Sequence, residues 1–497
     1  MLLRTLCAHS GVHNSLLIST LLYRLQQFWQ QNLHALRQPG SFTRNLAVTF
    51  SGSAAVTVIG FMLTPVMTRI YPPEAYGLFA LFGFAVSNIA LVATLVYPAA
   101  FVLPRERPDF LALVQLTLVL ALGTLVLSSV VVGIWADELM GWLHAEKLGR
   151  WFYLVPLLGF VVSLNGIMAS WYLRTKEFGK RVKVDVATNL AGRGLTIGYG
   201  LLTSGTPKGM LLGDIFGKLV NFGGLLRGGM YNSLGELWHT FSWARIKALA
   251  YEYREYPFFQ LPTSYVGILA AQAPILILTT KFDAGVAGLL AFSAGVIALP
   301  TILMGNAIGP IFLQKASETD IKQPERVPSM VLELYYKLFY VSLLPFAFLT
   351  AFGDVLFRLV FSARWDEAGV FAGYMSFSYL VQSMGSATAP IFAIRRRQNI
   401  LLMVVIVASA AKVGGLALGT LLFDSARLGV LLMSVGGTVV MFLFDMYLLR
   451  LVRVAVLPVI GRVVVLSAVA LVLFYGLRLG LEAYWPLFRP RVPGLFF

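Results

Sequence analysis

The amino-acid sequence predicts an all-α polytopic membrane protein, built as two six-helix lobes in a parallel pseudo-two-fold repeat with about 12–14 transmembrane helices. Three observations carry that prediction: too little charge for a soluble surface, apolar runs at regular spacing, and an internal repeat. Of 497 residues, 58% are hydrophobic and 12% charged, whereas soluble domains average about 45–50% and about 25%. The mean hydropathy of +0.77 agrees. A soluble chain of this length would hold about three domains; at about 20 residues per span it holds a dozen membrane helices. The 46 Gly and 22 Pro suit membrane helices, which tolerate both.

Charge and cysteine content narrow the function classes. The net charge of +16 would suggest nucleic acid in a soluble protein. In a membrane protein, basic residues gather in cytoplasmic loops as a condition of insertion, so no nucleic-acid partner is expected. Cys7 is the one cysteine, which excludes an intrachain disulfide and a thiolate cluster. The histidines His9, His13, His34, His144 and His239 have no ligand spacing. Neither a metal nor a cofactor is expected.

Residues 1–40 differ from the rest. Leu17, Leu21, Leu25, Phe28 and Leu36 among Gln26, Gln27, Gln30, Gln31 and Asn32 suggest an amphipathic helix on the membrane, or else a poorly ordered extension. No small-residue cleavage site follows an apolar core, so the stretch is not read as a secretory signal. Spans are expected at about 45–68, 78–103, 110–135, 152–173, 186–203, 209–229, 257–280, 285–313, 335–357, 367–393, 399–422, 428–449 and 456–477. The last is the least secure, because Arg462 lies inside it. This divides the chain into an extension (1–40), a first lobe (41–230), a cytoplasmic linker (231–256), a second lobe (257–453) and an additional helix and tail (454–497). Trp238, Trp243 and Tyr251 among basic residues give the linker an interfacial character.

Loop charge orients the chain. With the start of the first span in the cytoplasm, the inner loops hold 21 Lys and Arg and the outer loops 8, tails excluded. The positive-inside rule then places the N-terminus in the cytoplasm. The halves also repeat. Thr68-Arg69-Ile70 followed by Ala75-Tyr76-Gly77-Leu78-Phe79-Ala80 is answered by Thr280-Lys281-Phe282 followed by Ala287-Gly288-Leu289-Leu290-Ala291. Pro98 and Phe101 before Arg105 are answered by Pro310 and Phe312 before Lys315. Six spans separate the copies, so both halves have the same orientation and the axis runs along the membrane normal.

Enzyme chemistry is hard to find. The chain has no GxxxxGK[ST] loop, no GxSxG elbow and no HExxH helix. The largest external loop, about Ala136–Trp151, carries Asp137, Glu138 and Glu146, which read as a solvated face. Charges inside spans are therefore the informative residues, being costly in hydrocarbon. Arg193, Lys218 and Lys412 fall near mid-membrane at about 1.5 Å of rise per residue. A cleft between the lobes lined by these three would bind anionic substrate. Asp214 precedes Lys218 by one helical turn, so mutual neutralisation and a functional role stand side by side for that pair. Arg193 and Lys412 have no carboxylate three or four residues away. Asp445 and Asp185, near cytoplasmic ends, read as surface acids, with ion coupling or pairing the further role for Asp214 and Asp445. Asn88, Asn165, Gln272, Asn306 and Gln382 read as interhelical hydrogen-bond formers. Arg395-Arg396-Arg397 reads as a topological anchor.

The run Thr68-Arg69-Ile70-Tyr71-Pro72-Pro73-Glu74-Ala75-Tyr76-Gly77 resembles the opening signature of bacterial polysaccharide transporters. Tyr253-Arg254-Glu255-Tyr256-Pro257 leading to Leu261-Pro262, and Ala287-Gly288-Leu289-Leu290-Ala291, are similar to the opening of their second half. So is Gly353-Asp354-Val355-Leu356-Phe357 followed by Phe361, Arg364-Trp365 and Glu367-Ala368-Gly369. Over about residues 42–453 the chain resembles the Wzx-type oligosaccharide flippases of the multidrug/oligosaccharidyl-lipid/polysaccharide (MOP) exporter superfamily. The resemblance implies a MATE-like V of two lobes around a central cavity. It also implies the flipping of undecaprenyl-pyrophosphate-linked oligosaccharide across the bacterial inner membrane for O-antigen, capsule or exopolysaccharide synthesis, alongside a glycan polymerase and other export components. The basic residue found early in the first span of related lipid-linked precursor flippases is absent: Asn45 to Met67 carries no charge. The alternatives are a MATE-like ion-coupled exporter of small molecules and a membrane-embedded glycan-processing enzyme. A drug or cation exporter would favour acidic cavity residues.

Overall fold

The computed structural model describes residues 42–395 and 397–485. The expectation for residues 1–40 lies outside them. The first lobe contains α1 (Phe42–Ile70), α2 (Pro73–Thr94), α3 (Arg107–Leu143), α4 (Val155–Thr175), α5 (Phe178–Leu202) and α6 (Pro207–Leu225). The second contains α7 (Leu261–Lys281), α8 (Ala284–Lys322), α9 (Val327–Phe361), α10 (Asp366–Thr388), α11 (Gln398–Ala417) and α12 (Ala426–Leu451). Helix α13 (Val456–Tyr484) follows. Each expected span corresponds to one of these helices.

Local chemistry sets many of the ends. Pro72 is extended and Pro73 occupies the first position of α2, where a missing N–H costs nothing. Asp283 caps α8 by accepting from the Val286 N–H at 2.9 Å, and Ser425 caps α12 by accepting from Leu428. Several boundaries differ from expectation: α5 and α9 begin about two turns earlier, α8 and α13 run about two turns further, and α2 and α3 differ for identifiable reasons. Leu95 (φ 45°) and Val96 (φ 63°) are left-handed and stop α2 at Thr94, well short of residue 103. Helix α3 continues to Leu143 with a break at Trp135, so most of the expected external loop is helix, and its Asp137, Glu138 and Glu146 are exposed.

Among the described residues, ten helices are long and apolar enough to cross a membrane. This is a multipass membrane protein. Of the remaining helices, α5 and α10 are the less apolar. Helix α10 packs against α8, α9 and α12 with Phe371, Ala372 and Met384 fully buried. Helices α1 and α5 line the cavity described below. A less apolar helix is tolerated inside a bundle because its polar groups never meet hydrocarbon.

Each lobe has a core of its own, and the two touch at the seam, where Ala284 of α8 joins the first lobe's core and Tyr76 packs on the second's. The second packs around Trp365, Phe371 and Phe392, the first around Phe101 with Trp171 and around Leu81 with Phe152. Helix α13, the least secure expected span, is tied to the second lobe at both heights. The Arg462 guanidinium lies over the Tyr336 ring at 4.9 Å. Buried Arg478 grips Asp354 of α9 through two bonds of 2.9 and 2.8 Å.

The linker contains two short helices, Leu234–His239 and Trp243–Glu252. Leu237, Ile246 and Leu249 are buried against the first lobe, and Gln115 donates to the Leu237 carbonyl at 2.6 Å. Arg107 pairs with Glu236. Trp238, Trp243 and Tyr251 point outward, which fits aromatic residues at a membrane interface.

The lobes meet along α2 and α8, at the end carrying the α1–α2 and α7–α8 loops. A Cβ on Gly77 would stand 1.7 Å from the Ala284 carbonyl oxygen, and one on Gly288 2.0 Å from that of Pro73. Only glycine permits backbones this close. Trp365 reinforces the same end by donating its indole N–H to the Thr68 carbonyl at 3.0 Å.

Candidate substrate cavity

A cavity of about 650 Å³ opens beside this seam. Four helices of the first lobe line it, through Gly60 and Met67 of α1, Tyr76 of α2, Arg193 of α5 and Lys218 of α6, together with Phe292 of α8 from the second lobe. In its wall α5 and α6 pack backbone to backbone. A Cβ on Gly192 would come within 2.9 Å of the Gly213 carbonyl. Tyr71, fully buried, donates to the Thr196 carbonyl at 2.7 Å and pins the α1–α2 corner to α5.

Within the cavity the cations differ in kind. Lys218 forms an ion pair with Asp214 one turn earlier, and both are about three-quarters enclosed. That pair is locally neutral. Arg193 has no carboxylate partner among the described residues. Its guanidinium lies over Gly60, where a Cβ would be 3.0 Å from Nη2, and its remaining contact is the Met67 thioether at 3.3 Å. A thioether accepts hydrogen bonds only weakly. Arg193 is thus the uncompensated charge of the cavity lining.

The expected three-cation cleft is corrected in one member. Lys412 does not line the cavity; its methylene chain lies along α12, with Cε 2.6 Å from where a Gly437 Cβ would stand. Depth along a helix follows from sequence, but the direction a side chain faces depends on the neighbouring helix. Asp445 is likewise no surface acid. It is 2% exposed, accepts from the Tyr335 hydroxyl at 3.4 Å and faces Gly385 of α10. Asp185 is half-buried and satisfied by Arg181 and Asn221.

The uncharged polar residues divide. Asn165 bonds across helices to the Lys218 carbonyl at 3.1 Å, whereas Asn88 donates to Phe84 of its own helix. Two buried ion pairs, Arg358 with Asp366 and Arg478 with Asp354, had no expectation attached. Asp354 and Arg478 are 124 positions apart, and no sequence spacing signals such a contact.

With this geometry in hand, solved structures supply a comparison. The chain is similar to the lipid II flippase MurJ in an inward closed conformation, with a TM-score of 0.61 and 14% identity over 88% of this chain and 99% of that one. The fold is that of the MOP-superfamily transporters. An inward-facing multidrug resistance MATE transporter of the MOP superfamily matches with a TM-score of 0.59 and 13% identity, covering 80% of this chain and 94% of its own. A MATE in complex with MaD3S gives 0.51 at 15% identity over 85% and 98%. No protein-family profile and no curated protein matches the sequence. The Gly77–Gly288 seam and the cavity lie where helices of the two lobes meet.

Proposed function

We propose that this chain flips an undecaprenyl-pyrophosphate-linked oligosaccharide repeat unit across the bacterial inner membrane, for O-antigen, capsule or exopolysaccharide synthesis. The observation that carries the reading is Arg193, a guanidinium in a partly enclosed cavity with no acid beside it. A pyrophosphate needs cations, and partial dehydration strengthens the attraction. The polyprenyl tail stays in lipid while the polar head crosses between the lobes, and no covalent bond changes. Lys218, held by Asp214, supports the cavity wall in this reading rather than contacting the head. Lys412 supports the second lobe rather than the head, and Asp445 is the carboxylate we assign to ion coupling.

In the proposed orientation the N-terminus is cytoplasmic and the seam end periplasmic, so the lobes are closed outside. A small-molecule cation exporter would want an unpaired carboxylate in the cavity, and Asp214 is held by Lys218. A glycan polymerase and other export components are the proposed partners.

The test is reconstitution. Proteoliposomes with a fluorescent undecaprenyl-pyrophosphate-linked oligosaccharide should show protein-dependent transfer between leaflets. Efflux of a cationic dye without lipid transfer would contradict the reading. For orientation, a cysteine at Lys180 in a Cys7→Ser background should resist impermeant thiol reagents in intact spheroplasts, and ready labelling would reverse it.

A further inference from the structure

Tyr76 belongs both to the cavity and to the seam. It lines the cavity together with Arg193. Its hydroxyl is buried and makes no hydrogen bond among the described residues. Buried polar groups are almost always paired, so an orphan of this kind calls for an explanation. The ring is edge-on to Trp365 at 4.9 Å and to Phe292 at 5.4 Å, both on the second lobe. Trp365 in turn bonds the Thr68 carbonyl across the lobes, and Gly77, the next residue in the chain, is the seam glycine of α2. A donor without an acceptor, a cation without an anion and an interlobe aromatic cluster therefore share one location.

We infer that Tyr76 is a positioning residue that registers the anionic head at the seam. Its hydroxyl donates to an oxygen of the oxyanion seated on Arg193, and the accompanying shift of the ring loosens Trp365 from Thr68. This rests on the anionic-cargo reading above and adds how occupancy is communicated. Before cargo arrives, the phenol has no partner and its ring holds the seam closed. Once an oxyanion is present, the same group has a charge-assisted bond to gain, which is stronger than a neutral one. Opening the seam end then follows loading. The chemistry fits a phosphate or pyrophosphate, whether free or lipid-linked.

The test uses the full chain in lipid nanodiscs, in a Cys7→Ser background, with inorganic pyrophosphate and geranylgeranyl pyrophosphate as separate probes. The wild-type chain should gain thermal stability with one or both: a response to the prenyl compound alone assigns a lipid-linked head, and an equal response assigns the oxyanion itself. Tyr76→Phe keeps the ring and removes only the hydroxyl. Its melting temperature without ligand should equal or exceed that of wild type, while its affinity for the probe falls about tenfold, as the loss of one charge-assisted bond implies. A cysteine at Ala284, 8% exposed at the seam, should react faster with an impermeant maleimide when ligand is added to wild type, and not when it is added to Tyr76→Phe. No response in wild type to either probe would overturn the anionic-cargo reading and this inference with it. Binding by Tyr76→Phe at wild-type affinity would overturn the inference alone. So would ligand-enhanced labelling that survives loss of the hydroxyl.

Discussion

Gly77 and Gly288 lie 211 positions apart, yet a Cβ on either would come within 3.1 or 2.7 Å of the other's backbone nitrogen. They are the corresponding glycines of the two repeat copies, so the internal repeat is not only a record of how the lobes are related. It marks the surface on which they meet. The pseudo-two-fold axis passes near this contact, because equivalent backbone positions approach one another only close to such an axis.

A side chain at this contact should open the seam without unfolding the lobes, which have cores of their own. Gly77→Val should keep membrane levels near wild type, and a cysteine at Ala284 should become reactive toward impermeant maleimide without ligand. Overpacking of this kind typically costs about 1–3 kcal/mol. Unchanged protection of the cysteine would show that the seam is not the gate.

The Lys218–Asp214 pair should behave as structure. Lys218→Met leaves the Asp214 carboxylate alone in a site about three-quarters enclosed and should lower the melting temperature. Adding Asp214→Leu should restore it, since replacing both members of an enclosed pair is often neutral. Glycan export should recover in the double variant. Failure of export in a stable double variant would make the pair part of the cargo site.

Helix α13 depends on a buried pair whose members are 4% and 5% exposed. Asp354→Asn removes one of the two carboxylates that compensate the Arg478 guanidinium, Glu482 being the other, and should destabilise the protein by about 1.5–3 kcal/mol. Combining Arg478→Met with Asp354→Leu should return most of that loss. A single variant as stable as wild type would mean that α13 contributes little to the second lobe.

The linker offers a contrast between exposed charge and buried area. Arg107 holds the Glu236 carboxyl below the usual carboxylate range through its hydrogen bond. The stabilisation this gives is present above the unfolded-state value and is lost as pH falls through the lower folded one. Both groups are more than a third exposed, so Glu236→Gln should cost under about 1 kcal/mol. Ile246→Ala, which removes buried contact, should cost about 2–5 kcal/mol. Equal effects on thermal unfolding would refute that ranking.

Much of this architecture was legible in the sequence. Apolar run lengths located every long helix, because a bilayer imposes a minimum span. Arg193 stood out by lacking an acid at helical spacing, and the structure keeps it that way. Lys412 and Asp445 mark the limit. Height along a helix follows from counting residues, but the facing direction of Lys412 is set by Gly437, and the burial of Asp445 by α10 packing over it at Gly385. Tyr76 was visible only as one letter of a motif. Its meaning depends on Trp365 and Phe292, which reach it from the other lobe.

The central claim is that the cavity binds an anion through Arg193. Its most direct test is the surface glycan produced by Arg193 variants in a complemented deletion strain, with membrane levels of each variant matched. Arg193→Gln should lower export at least about tenfold, in line with removing one partner of a desolvated charge contact. Arg193→Lys should keep much of it, because charge at this depth matters more than a particular donor geometry. Full export by Arg193→Gln at wild-type protein levels would contradict the account.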